Sequence, residues 1–339
     1  MDTFYVSAGI GALIVDAAAS RGASLAELEA KTGFRLALAA DPDARIPLAT
    51  ETALWDEAAT ATGDDAFGAH AAERLRPGVL DVMDYVVRAA PTLLASLERL
   101  ARYNRLLHDV ATFRLIDVGP DVVRVEHALP AAGATQSRHA AQFTLVSLVV
   151  VGTQILGEPV RPLAVELRHD LPKGAHAELQ RIFGVAPRYG RSVNALELPR
   201  ALLERRAPNA DPALSRVVLR HAEALLAARP APVERTSDRV RRLLVSALAE
   251  SERESTLATI AGELRMSERS LQRRLAEESV RFEALVDEVR REMAARYLAD
   301  RKVAIAEIAY LLGYSEPSAF HRAFKRWTGS TPAEARQRL

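Results

Sequence analysis

Apolar residues over the first hundred positions recur at helical spacing. Residues 6–20 predict a mostly apolar helix, and Ser24 with Glu27 forms a capping box that opens the next, SLAELEAKTG. Further helices are predicted at about 49–62, 66–75, 78–90 and 92–108. The period then shortens to two. FRLIDV and VVRVEHAL flank Gly119-Pro120-Asp121 and read as a hairpin. A buried helix follows at about 137–156, then a strand in PLAVELRH, a helix in HAELQRIFG and a strand in SVNALELP. This pattern predicts an α+β domain, helices first and a small sheet later.

Residues 209–229 predict a connecting helix in which Leu214, Val218, His221 or Ala222, and Leu225 recur at coiled-coil-like spacing. That stripe has two readings, a dimer seam or packing onto the chain's own N-terminal domain. Pro230 and Pro232 break the helix, and 233–236 reads as linker. The expected organisation is 1–208 as an effector-sensing or dimerisation domain, 209–236 as connecting helix and linker, and 237–339 as an all-α domain.

The all-α part carries one unit twice, LATIAGELRMSERSLQRRL from Leu257 and IAEIAYLLGYSEPSAFHRAF from Ile305. Ala261 aligns with Ala309, Leu264 with Leu312, Arg265 with Gly313, Leu271 with Phe320, Arg273 with Arg322 and Leu275 with Phe324. The second turn holds one extra residue. Each copy reads as two helices around a tight turn, a helix-turn-helix that leaves the second helix bare for the major groove. A small residue, Ala261 or Ala309, permits the close crossing. The turn favours a left-handed backbone, which suits Gly313 and costs Arg265 roughly 1 kcal/mol. Ser267 is placed to cap the first recognition helix, and Ser315 or Glu316 the second, with Pro317 in its first turn.

Leu271 and Leu275 face the core, so Arg269, Gln272 and Arg273 face outward. Phe320 and Phe324 do the same in the second copy, turning Pro317, Ser318, His321 and Arg322 outward. Arginine pairs with guanine O6 and N7, and glutamine with adenine N6 and N7, so these seven are the candidate DNA-reading residues. Ser267, Lys325, Arg326 and Thr331 are the candidate phosphate contacts. A helix over 282–299, with Leu285, Val289, Met293 and Tyr297 on one stripe, joins the units. Eighteen residues at about 1.5 Å each span about 27 Å, and the flanks bring the recognition helices roughly 34 Å apart, one turn of DNA. Thr331, Pro332 and Glu334 form a final capping box.

LRMSERSLQRRLAEESVRFEALVDEVRREMAARYL and IAEIAYLLGYSEPSAFHRAFKRWTGSTPAEAR resemble the DNA-binding domain of the AraC/XylS family of bacterial transcription regulators, over about residues 240–338. Two positions depart from that family's pattern: Arg265 stands for the turn glycine, and Ser279 for the glycine that follows the first recognition helix. DPDARIPLATETALWDEAATATGDDAFGAHAAERL and LASLERLARYNRLL resemble the arabinose-binding-type N-terminal domain of one branch of the family. The resemblance implies a sequence-specific regulator, an activator by expectation. Its implied partners are double-stranded DNA through two successive major grooves, RNA polymerase, an unidentified small-molecule effector and a second copy of the chain.

Composition adds bounds. Net charge is +1, and the segment from Val233 onward holds 20 basic and 17 acidic residues, so bulk charge does not carry the DNA reading. There is no cysteine, which excludes disulfides, thiolate metal sites and the acceptor thiol of a DNA-repair alkyl-transfer enzyme. An architectural DNA binder of low specificity is the remaining alternative. No enzyme activity, cofactor or metal site is expected: phosphate-loop and nucleophile-elbow motifs are missing, and the eight histidines are scattered, none expected in a carboxylate-rich cluster. Glu126 and Glu166 are expected in solvated or salt-bridged positions. The apolar run 143–156 reads as a buried helix, not a membrane span, and the expected location is the cytoplasm, on the nucleoid when bound.

Overall fold

The computed structural model describes residues 4–129, 136–172, 174–229, 236–249, 255–278, 280–299 and 303–337. Ser279 and most of the expected 233–236 linker lie outside them. Apart from the hairpin end 116–122, residues up to Pro230 form one compact unit; a second runs from Ala231 to Leu339.

The first unit opens with β1 (Tyr5–Ser7) and α1 (Ala8–Ala19), capped by the Ser7 hydroxyl, which accepts from Gly9 N–H at 3.2 Å. Then come α2 (Leu25–Thr32), β2 (Arg45–Pro47), α3 (Leu48–Thr62), α4 (Phe67–Glu73), α5 (Asp81–Arg88) and α6 (Leu93–Tyr103). The expected box at Ser24 forms, with Glu27 N–H on the Ser24 hydroxyl, and Gly33 ends α2 at φ +72°. Next are β3 (Thr112–Asp117), β4 (Val122–Ala128), α7 (Arg138–Leu156), β5 (Ala164–Glu166), α8 (His176–Phe183), β6 (Asn194–Pro199), the short α9 (Arg200–Leu203) and α10 (Pro212–Ala228). This is the α+β order read from the sequence. The exceptions are the β1–β2 ribbon, whose three-residue strands carry no readable period, the four-residue α9, and the late start of α5 after a turn at Gly78.

The sheet order is β3-β4-β6-β5. Val123, Val125 and His127 on β4 are buried, while Arg124 and Glu126 alternate to the other face. There Arg124 bridges Glu126, Glu166 and Glu197 at 3.0, 2.5 and 3.0 Å, so Glu126 and Glu166 are salt-bridged as expected.

Helix α7 is long and apolar enough to cross a membrane by length and composition. In this fold it is a core helix. It crosses α4 so closely that a Cβ on Gly68 would stand 1.9 Å from the His139 carbonyl oxygen, and its Phe143 packs on Trp55. Val218, Ala222 and Leu225 of α10 pack with Met83, Val86, Tyr103 and Leu106. Of the two readings of that stripe, these residues take the packing one; Leu214 and Val217 stay exposed.

One expectation about the histidines is overturned. His70 sits among carboxylates, with Nδ1 at 2.7 Å from Asp64 and Nε2 at 3.0 Å from Glu178, a residue 108 positions away. His70, Glu73 and Glu178 are close enough to share a cation. Arg181 already bonds both glutamates, at 2.9 and 2.6 Å, and holds the Glu178 carboxyl at about 2, so the cluster's charge is balanced by protein groups.

The second unit has its own core and is all helical among its described residues from 236 onward: α11 (Thr236–Ala249), α12 (Leu257–Glu263), α13 (Glu268–Glu277), α14 (Phe282–Ala299), α15 (Ile305–Leu311), α16 (Pro317–Thr328) and α17 (Pro332–Gln337). Leu285, Val289 and Met293 of α14 are buried and Tyr297 half-buried, the stripe predicted for the joining helix.

Candidate nucleic-acid interface

The two turns are built alike. Helix α12 ends with Met266 N–H bonding the Ala261 carbonyl at 2.9 Å and Arg265 N–H bonding Gly262 at 3.0 Å. Helix α15 ends with Tyr314 N–H on Ala309 at 3.0 Å and Gly313 N–H on Tyr310 at 2.9 Å. Both pairs close the last carbonyls of a helix through a left-handed residue. That residue is Gly313 at φ +74° in one copy and Arg265 at φ +53° in the other. Ala261 and Ala309 are fully buried at the crossings.

Arg265 therefore carries the steric penalty that glycine avoids. Arg265→Gly is expected to raise the stability of the second unit by up to about 1 kcal/mol. Urea melts of both proteins check this; an unchanged or lower midpoint would mean that the left-handed turn costs arginine nothing here.

Past the turns, Ser267 caps α13, accepting from Ser270 N–H at 3.2 Å. Glu316, not Ser315, occupies the cap position of α16, without a side-chain bond to the helix, and Pro317 follows in the first turn. Leu271, Leu275, Phe320 and Phe324 are buried, and Phe320 stacks edge-on to Phe324 at 5.7 Å. This anchoring turns Arg269, Gln272 and Arg273 on α13, and Ser318, His321 and Arg322 on α16, to solvent, with Pro317 half-buried beside them. Arg273 Nε lies 3.6 Å from Glu277 on the same helix, both exposed, an interaction weak enough for DNA to displace. The Ser318 hydroxyl donates to Glu316 at 3.1 Å.

The four phosphate candidates differ. Lys325 is exposed. Arg326 is bound to Asp287 of α14 at 2.9 Å, so a phosphate would compete with that carboxylate. Thr331 forms its capping box: its N–H donates to Glu334 at 2.8 Å, and its hydroxyl accepts from Glu334 N–H at 3.3 Å. The Thr331 N–H is thus already used, as is the Ser267 hydroxyl by its own helix.

Two supporting features escaped the sequence reading. Helix α11 buries Val240, Leu244 and Leu248 at i, i+4 and i+8, a stripe visible in the sequence. The Glu278 carboxylate caps it by accepting from Thr236 and Ser237 N–H at 2.7 and 3.0 Å, and Arg241 ties it to Glu288 and Glu292 of α14. Arg290 on α14 lies over the Tyr314 ring at 4.6 Å and reaches the Gly313 carbonyl at 3.4 Å, bracing the second turn. No local period announces such a contact.

Two helix-turn-helix units on one joining helix, each with a polar and basic recognition face, define a DNA-binding protein of the tandem type. A family profile described as the arabinose-binding domain of AraC transcription regulators matches residues 22–207, and a helix-turn-helix domain profile matches 260–338. The chain is 30% identical to the ornithine utilization regulator of Pseudomonas aeruginosa, over 96% of this chain and 94% of that one. It is also 30% identical to the HTH-type transcriptional regulator VirS of Mycobacterium tuberculosis, over 80% and 78% of the two chains. The crystal structure of transcriptional regulator CdpR from Pseudomonas aeruginosa aligns at 24% identity and a TM-score of 0.43, over 84% of this chain and 90% of that one. The chain belongs to the AraC family and is a DNA-binding transcriptional regulator.

Proposed function

We propose that this regulator binds a specific operator as a homodimer, activates transcription there through RNA polymerase, and does so in response to a small molecule taken up by its first unit. It acts in the cytoplasm, on the nucleoid when bound, and is not an enzyme. The observation that carries the reading is the matched pair of exposed recognition faces. In both, an arginine, Arg273 or Arg322, follows the first member of the buried pair by two residues and precedes the second by two. The 18-residue α14 supports a spacing of about one DNA turn between them. Arg269, Gln272, His321, Ser318 and Pro317 complete the two faces, and Lys325 is the strongest phosphate contact. Ornithine is a first compound to titrate, given the name of one full-length relative.

Selection of bound DNA from a random pool tests the specificity. A site with two conserved blocks about one turn apart is expected; recovery of unrelated sequences would favour the architectural binder. A fragment beginning at Val233 is expected to stay soluble, because its core is its own. It should bind the selected site more weakly than the full chain, since dimerisation through the first unit raises the effective concentration of the second reader. Sedimentation of both proteins, with titrations of the same DNA, decides this. A monomeric full chain that binds no better than the fragment removes the dimer.

A further inference from the structure

Within the first unit lies a cavity of about 30 Å³ whose wall includes Glu51, His108 and His127 beside the apolar Leu48, Leu129 and Ala140. Glu51 is 7% exposed, an unusual depth for a carboxylate. One oxygen accepts the Trp55 indole N–H at 3.0 Å. The other lies 3.7 Å from His108 Nε2, too far for a hydrogen bond. His108 Nδ1 accepts from Val110 and Ala111 N–H at 3.3 and 3.1 Å, which places a neutral ring's proton on Nε2. His127 is 2% exposed, and its Nδ1 has no hydrogen-bond partner. Burial pushes His127 down to about 3, so it is a neutral ring, packed on Phe113 at 4.9 Å.

Buried polar atoms without partners are uncommon and ask for an occupant. Among its described residues, the lining holds no lysine or arginine, so an anionic group would meet a carboxylate and no cation. A donor-rich cation meets the opposite case: a half-satisfied carboxylate and an aliphatic wall for its stem. The volume suits a head group of very few atoms. We propose that this cavity is the effector site of the first unit and that it takes the ammonium head of a small alkyl amine, with Glu51 as its counter-ion. The inference rests on the reading of that unit as an effector sensor.

The test uses the full chain carrying Trp327→Phe, which leaves Trp55 as the single tryptophan, bonded to Glu51. n-Butylammonium is titrated while indole fluorescence is followed, with n-butanol and butyrate as neutral and anionic counterparts. A saturable response to the ammonium is expected, at least about tenfold weaker for n-butanol and for Glu51→Gln, and nil for butyrate. Glu51→Asp should keep the preference for the cation. If Glu51→Gln loses its helical circular dichroism, the order of the three probes on the unsubstituted cavity still decides. Equal response to ammonium and alcohol, preference for butyrate, or no saturable response overturns the proposal. Affinity for the selected DNA is measured alongside. A metabolite that shifts DNA affinity with Trp55 silent leaves the sensor reading standing and removes this site. Amine binding that leaves DNA affinity unchanged keeps the site and removes its role as effector.

Discussion

Replacing Arg273 and Arg322 together by alanine is expected to weaken binding to the selected operator by about 2–6 kcal/mol, roughly 30-fold to 25,000-fold. Each arginine that reads a guanine contributes about 1–3 kcal/mol of discrimination, and contributions from separated positions add. The two residues stand at matching positions on α13 and α16. Each single variant should therefore relax preference in a different half of the site, about one helical turn apart. Lys325→Ala is the control. Removing a phosphate-binding charge there should weaken all sequences alike and lower the salt slope by about one. Competition binding of operator against random DNA at fixed salt separates the two behaviours. Equal weakening on both DNAs by the double variant would show that the arginines hold the backbone and leave base reading to their neighbours.

Phe320→Ala is expected to destabilise the second unit by about 3–5 kcal/mol, the usual cost of emptying a buried aromatic site. Phe320 is fully buried, with the rings of Tyr314, Phe324 and His321 at 5.9, 5.7 and 6.0 Å. It joins the turn to the recognition helix, so truncating it removes the anchor that turns His321 and Arg322 outward. Against a typical total of about 5–15 kcal/mol, most of the unit's stability is at stake. Urea unfolding of the fragment beginning at Val233, in which Trp327 is the single tryptophan, measures it by fluorescence, since Trp327 packs on Phe324 at 6.4 Å. Phe320→Leu should cost clearly less, because it refills most of the space. A destabilisation under about 1 kcal/mol for the alanine variant would mean that α16 is held mainly by α14 and α17.

The residues themselves determined what short-range physics encodes. The repeated helix-turn-helix, the buried pairs Leu271–Leu275 and Phe320–Phe324, the caps at Ser24, Ser267 and Thr331, and the left-handed turn at Arg265 all depend on neighbours within about five positions. Periods of 3.6 and 2 likewise placed most helices and strands of the first unit. The outward faces of α13 and α16 followed, because a helix with one side buried has little choice about the other. Only the tertiary structure decided which distant residues meet. It set His70 between Asp64 and Glu178, tied Arg124 to three glutamates, laid α10 on α5, put Arg290 over Tyr314 and enclosed Glu51, His108 and His127 around one cavity. These pairings depend on topology and on how closely elements approach, as α4 does to α7 at Gly68. A local pattern states that a face is apolar; it does not state which other face will cover it.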